Sequence, residues 1–139
     1  MRAFALCSVL LVGLVALPGC ASPEPAARTE PTGQRDVVVD GTSVLGRWEA
    51  VGALDEPDVD EDLRRGLLTE TLIFDPYGRV TLSGEDRREG AGPVSYYGQI
   101  EGRTVSFDEL PGRATVEVRS DGRLILTDPR GNRTVYERD

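Results

Sequence analysis

Side chains able to do acid–base or covalent chemistry are few in this chain, and their spacing excludes most reaction classes. All 16 basic residues are arginine, with neither lysine nor histidine in the sequence. Without histidine there is no Ser–His or Cys–His nucleophile pair and no imidazole ligand for a metal. Ser83, Ser95 and Ser106 therefore have no base to activate them. Gly84 and Gly90-Ala91-Gly92 precede neither Gly-Lys-Ser nor a helix start, so they read as a hairpin tip between Glu85 and Pro93. Carboxylates are plentiful, 24 in 139 residues. Glu70 with Asp75, and Asp108 with Glu109, have the spacing of acid–base pairs, but chance supplies such pairs at this acid density. Asp58-x-Asp60-x-Asp62, preceded by Asp55 and Glu56 and with Glu61 within it, opens like a calcium loop. That loop needs glycine at its sixth position and glutamate at its twelfth, where this chain has Leu63 and Thr69. A solvated, acidic helix start is the reading, with a loose oxygen-ligand site as the alternative. A net charge of −8 and no dense basic cluster argue against a nucleic-acid partner. The chain is expected not to be an enzyme and to need no cofactor.

The most specific reactive group is a thiol. Met1-Arg2 is a short positive segment, and Ala3 to Leu17 is an apolar run broken only by Ser8 and Gly13. That run has the length of a secretory signal core and is short for a membrane span of about 20 residues. It ends in Leu17-Pro18-Gly19-Cys20, which resembles a bacterial lipobox. The resemblance implies diacylglycerol on the Cys20 thiol and cleavage before it, with small Gly19 giving a peptidase access. Two or three acyl chains anchor stably where one binds only marginally. Ala21 rather than aspartate after the cysteine implies, by resemblance, delivery to the outer membrane. Cleavage removes Arg2 and Cys7, leaving 15 basic against 24 acidic side chains and no free thiol in the fold.

The elements that must carry any site lie further on. Residues 1–19 are read as the signal, 20–41 as a Pro/Ala-rich tether and 42–139 as one domain. As a flexible coil such a tether spans about 25 Å. Val37-Val38-Val39 interrupts it as a possible short edge strand. Eight β-type runs follow: 44–51, 69–75, 79–83, 95–101, 103–108, 113–119, 123–127 and 133–138. Glycine-bearing turns such as Pro76-Tyr77-Gly78, Glu101-Gly102 and Ser120-Asp121-Gly122 separate them, so sequence neighbours should pair antiparallel. Apolar residues two apart (Leu72/Phe74, Val80/Leu82, Val105/Phe107, Val116/Val118, Leu124/Leu126) alternate with polar ones, predicting one buried face. Tyr96-Tyr97 then puts one aromatic on each face, and the outward one is a candidate partner contact. Residues 58–68 form the one predicted helix, with Val59, Leu63 and Leu67 on one side. The predicted fold is all-β: an eight-stranded up-and-down meander closing into a small barrel, which removes exposed edges.

Gly46-Arg47-Trp48 at the first strand, followed by such a meander, resembles the lipocalin-like proteins of the calycin group over about Thr42 to Asp139. That resemblance implies that Trp48 closes one end of the barrel under a basic side chain from the last strand, here Arg133 or Arg138. It also implies an interior ligand site, for which the candidates are Trp48, Leu72, Phe74, Leu82, Val105, Phe107 and Leu126. The function expected is a non-catalytic lipoprotein of the bacterial envelope that binds a small apolar or amphipathic ligand. The alternative is a ligand-free barrel scaffold that contacts an envelope protein through its acidic loop or outer strand faces. Strands of five to seven residues make the interior small, so the same apolar side chains could fill it.

Overall fold

A computed structural model describes residues 33–139. The signal segment, Cys20 and the first part of the tether lie outside the described residues. The eight runs form a closed antiparallel barrel in sequence order: β3 (Gly46–Ala53), β4 (Leu68–Phe74), β5 (Arg79–Asp86), β6 (Val94–Glu101), β7 (Thr104–Phe107), β8 (Ala114–Val118), β9 (Leu124–Thr127) and β10 (Arg133–Arg138), with β10 returning to β3. Two further short strands, β1 (Val38–Val39) and β2 (Thr42–Ser43), make a separate hairpin before the barrel.

Alternation sets the inner wall. Cross-strand register lines up Trp48, Leu72, Leu82 and Tyr96 in one interior row, and Phe74, Val80, Gly98 and Phe107 in the next. Val105, Val116, Leu124 and Tyr136 complete a continuous core. Gly98 is required in its row. A Cβ there would lie 2.9 Å from the Phe107 Cα and collide with the Ser106 carbonyl, both backbone of the paired strand.

The helix α1 (Pro57–Arg64) is shorter than its sequence pattern predicts. Gly66 adopts a left-handed φ of 67°, and the chain closes in a Schellman motif. The Gly66 N–H donates to Leu63 C=O at 3.1 Å, and Leu67 N–H donates to Asp62 C=O at 2.9 Å. Leu68 is thereby freed to begin β4, so the apolar spacing of Leu63 and Leu67 continues beyond the helix itself.

The interruption at Val37–Val39 is structured. Asp40 and Gly41 both take positive φ, 52° and 76°, as a two-residue hairpin turn demands, and Val39 is buried in the barrel core. Packing on the barrel thus begins before residue 42, where composition placed the boundary.

Candidate functional site

At one end the barrel is sealed by its own N-terminal segment. Arg35 N–H donates to Pro76 C=O at 2.9 Å, in the β4–β5 turn. Asp40 accepts from Val118 N–H at 3.1 Å and lies 3.4 Å from the Arg103 guanidinium in the β6–β7 turn. Val44 is fully buried, and its carbonyl accepts from Trp48 Nε1 at 2.8 Å. The Arg138 guanidinium lies 4.6 Å from the Trp48 ring centroid and donates to the carbonyls of Ser43 (2.6 Å) and Leu45 (3.1 Å). Of the two cations that the sequence left open, Arg138 stacks on the tryptophan. Arg133 serves the far end, where it forks onto Asp55 at 2.8 and 2.9 Å.

The seven candidate ligand residues are all brought to the interior, but not as a free surface. Leu72 and Val105 are 0% exposed, Trp48 1%, Phe74 2% and Leu126 7%. A side chain with no exposed area borders no void large enough for water, so this part of the barrel is filled by mutual packing. Leu82 and Phe107 are only half-buried, as are the inward-facing Leu68, Tyr96 and Thr134. The end opposite Trp48 is therefore the looser one.

The wall also has a seam there. The β3–β4 ladder stops at Glu49↔Thr71, while β3 runs on to Ala53 beside β10 and β4 begins three residues earlier at Leu68. A bulge that adds Val51 bends β3 at the parting. Helix α1 lies over this seam, tied down by the Asp60 carboxylate accepting Ala53 N–H at 3.0 Å. A cleft of about 270 Å³ remains, and Glu70 reaches into its inner part. One Glu70 oxygen accepts from the Tyr136 hydroxyl. Burial pushes the Glu70 carboxyl above the usual carboxylate range, against the opposing hydrogen bond from Tyr136. Burial, aided by the nearby Glu70 charge, holds the Tyr136 hydroxyl well above its ordinary value.

The other acids do structural work. Asp75 caps the β4–β5 turn, accepting from Tyr77 N–H and Arg79 N–H at 2.9 Å each, and does not meet Glu70. Asp62 pairs with Arg88, linking α1 to the β5–β6 hairpin. Hydrogen bonding from Arg88 draws Asp86 down to about 2. Asp60 engages Arg64 at 2.9 Å in addition to Ala53. Among the described residues no three carboxylates converge as a metal-ligand set.

On the outer wall the outward tyrosine is Tyr97, 58% exposed. It continues a row with Ile73 and Thr81 across β4, β5 and β6. Asp75, Arg79 and Asp108 rim a groove of about 320 Å³ around that row.

The sequence reading left two features incomplete: the turn that pairs Val38-Val39 with Thr42-Ser43, and the inward position of Glu70, which it set beside Asp75. The Asp40-Gly41 hairpin was signalled by an Asp-Gly pair between β-formers. Glu70 could be found by extending the inward alternation of Leu72 and Phe74 one step back. No family model, curated protein or solved structure matches this chain.

Proposed function

We propose that this protein is a non-catalytic lipoprotein of the bacterial envelope, held by acyl groups on Cys20, whose small lipocalin-like barrel acts as a scaffold for a protein partner. The observation that carries the scaffold reading is the filled interior: Leu72, Phe74, Val105 and Trp48 pack on one another where an apolar ligand would have to sit. The outer wall is open to a partner, and there Ile73 and Tyr97 form an exposed apolar strip with a charged rim. Tyrosine with a polar surround is common at the centres of protein interfaces.

Two experiments test the two halves separately. Metabolic labelling with a palmitate analogue should mark the wild-type chain, while Cys20→Ser should lose both the label and the membrane fraction; an unlabelled wild type refutes the anchor. A photoreactive residue at position 97 should capture one defined neighbour in intact cells, and the same residue at the outward position 115 should not. Equal capture at both positions, or none, refutes the scaffold reading.

A second reading is favoured by the half-buried Leu82, Tyr96 and Phe107: a small amphipathic ligand seated at the looser end of the barrel. Saturable uptake of a fluorescent fatty-acid probe, lost in Leu82→Arg, supports it.

A further inference from the structure

The seam between β3 and β4 joins two surfaces that a closed barrel keeps apart. Arg47 and Glu49 border the cleft from the outer face, whereas Ala50, Leu68 and Glu70 border it from the inner face and Leu63 from the helix above. The cleft therefore passes through the wall and reaches an interior carboxylate.

Glu70 has spare bonding capacity. Tyr136 occupies one carboxyl oxygen, and among the described residues no other donor reaches the second. Among the described residues no buried side-chain oxygen or nitrogen is left without a partner, so that second oxygen borders accessible space. Nearby cations are already engaged. Arg47 pairs with Glu49 at 3.1 Å and Asp139 at 3.3 Å, Arg64 with Asp60 at 2.9 Å, and Arg88 with both Asp62 and Asp86. A half-buried carboxylate without a counter-charge is disfavoured, and a cation entering the cleft offsets part of that cost.

We propose that this cleft binds a small organic cation, its ammonium head meeting Glu70 and its short apolar tail lying against Ala50, Leu63 and Leu68. A volume of about 270 Å³ suits a ligand of a few carbons and falls just under the roughly 300–1,000 Å³ typical of drug-sized ligands. The site is separate from the packed interior and from the Tyr97 strip, so it stands whether or not the scaffold reading does. The proton affinity of Glu70, raised by burial, adds a signature: in the acidic range, where the carboxyl holds its proton, the cation displaces it on binding.

The test is calorimetric titration of the full chain in a zwitterionic detergent with n-butylammonium, n-butanol and butyrate. Butylammonium should bind one to one and at least tenfold more tightly than the other two, because only it forms a charged hydrogen bond with Glu70. In the acidic range its apparent heat should vary with buffer, reporting the released proton. Glu70→Gln should weaken binding at least tenfold, whereas Glu117→Gln, on β8 and not part of the cleft lining, should change it less than threefold. Leu63→Arg on the helix surface fills the cleft with a guanidinium and should abolish binding, which keeps the proposal testable if Glu70→Gln fails to fold. No binding of butylammonium by the wild type, equal binding of butanol, or undiminished binding in a folded Glu70→Gln or Leu63→Arg variant each overturns it.

Discussion

Arg138 is an exposed side chain near the end of the chain, yet the barrel's closed end is assembled around it. Its guanidinium covers Trp48 and fastens the carbonyls of Ser43 and Leu45, so it clamps the N-terminal segment across the core. Cation–π attraction at an exposed site is worth about 0.5–1 kcal/mol. The two charged hydrogen bonds, discounted for solvent exposure, bring the expected cost of Arg138→Ala to about 1–2 kcal/mol. Most surface substitutions fall within about 0.5 kcal/mol, so the difference is measurable. Trp48→Leu removes the ring and strands the Val44 carbonyl, at a cost of about 3–4 kcal/mol. The double variant should then show a coupling of about 0.5–1 kcal/mol, the share that needs both groups. Urea unfolding followed by far-ultraviolet circular dichroism is the assay, because Trp48 is the only tryptophan and its loss removes the fluorescence signal. In Arg138→Ala itself the fluorescence remains usable and should shift to the red as the segment loosens. A cost for Arg138→Ala below about 0.5 kcal/mol together with zero coupling would refute the clamp.

Other outcomes follow from single contacts. Gly98→Ala should destabilise the barrel by about 2 kcal/mol or more, since the colliding atoms belong to the backbone of β7 and cannot rotate away; an unchanged melting temperature refutes the close approach. Asp60→Ala should cost about 1–2 kcal/mol by freeing the Ala53 N–H and loosening α1, and hydrogen exchange should rise in α1 before it rises in β5. The pH dependence at Glu70 has a definite sign. Its folded carboxyl titrates above its unfolded value, so its favourable contribution is present in acid and is lost as pH rises from about 4.5 through the folded value. The stability of Glu70→Gln relative to wild type should therefore increase across that window, and a pH-independent difference refutes the burial of a titrating group. Asp86, drawn down to about 2 by Arg88, acts oppositely. Its contribution is present above its unfolded value and lost as pH falls toward 2, so Asp86→Asn should flatten the acid side of the stability curve.

The barrel itself was legible because period-two alternation and glycine turns are local signals. Leu72/Phe74 and Val80/Leu82 announce an inner face, and Pro76-Tyr77-Gly78 joins them as a hairpin, with no long-range information needed. Trp48 and a basic partner were legible only through resemblance, and the choice of Arg138 over Arg133 required the register of β10 against β3. The alternation could list the inward side chains from Leu72 to Leu126 but not say whether they line a space or fill it, because that depends on how closely opposite walls approach.

By itself the sequence determined that no histidine-based nucleophile pair or metal ligand can form, the order and pairing of the barrel strands, and the inward set of apolar residues, since each rests on residue type or short-range spacing. Only the tertiary structure decided that Asp36 to Leu45 seals one end, that α1 covers a break between β3 and β4, and that Glu70 is an interior acid with a tyrosine partner 66 residues away. Those facts arise where distant segments meet, and no local pattern encodes the packing that brings them together.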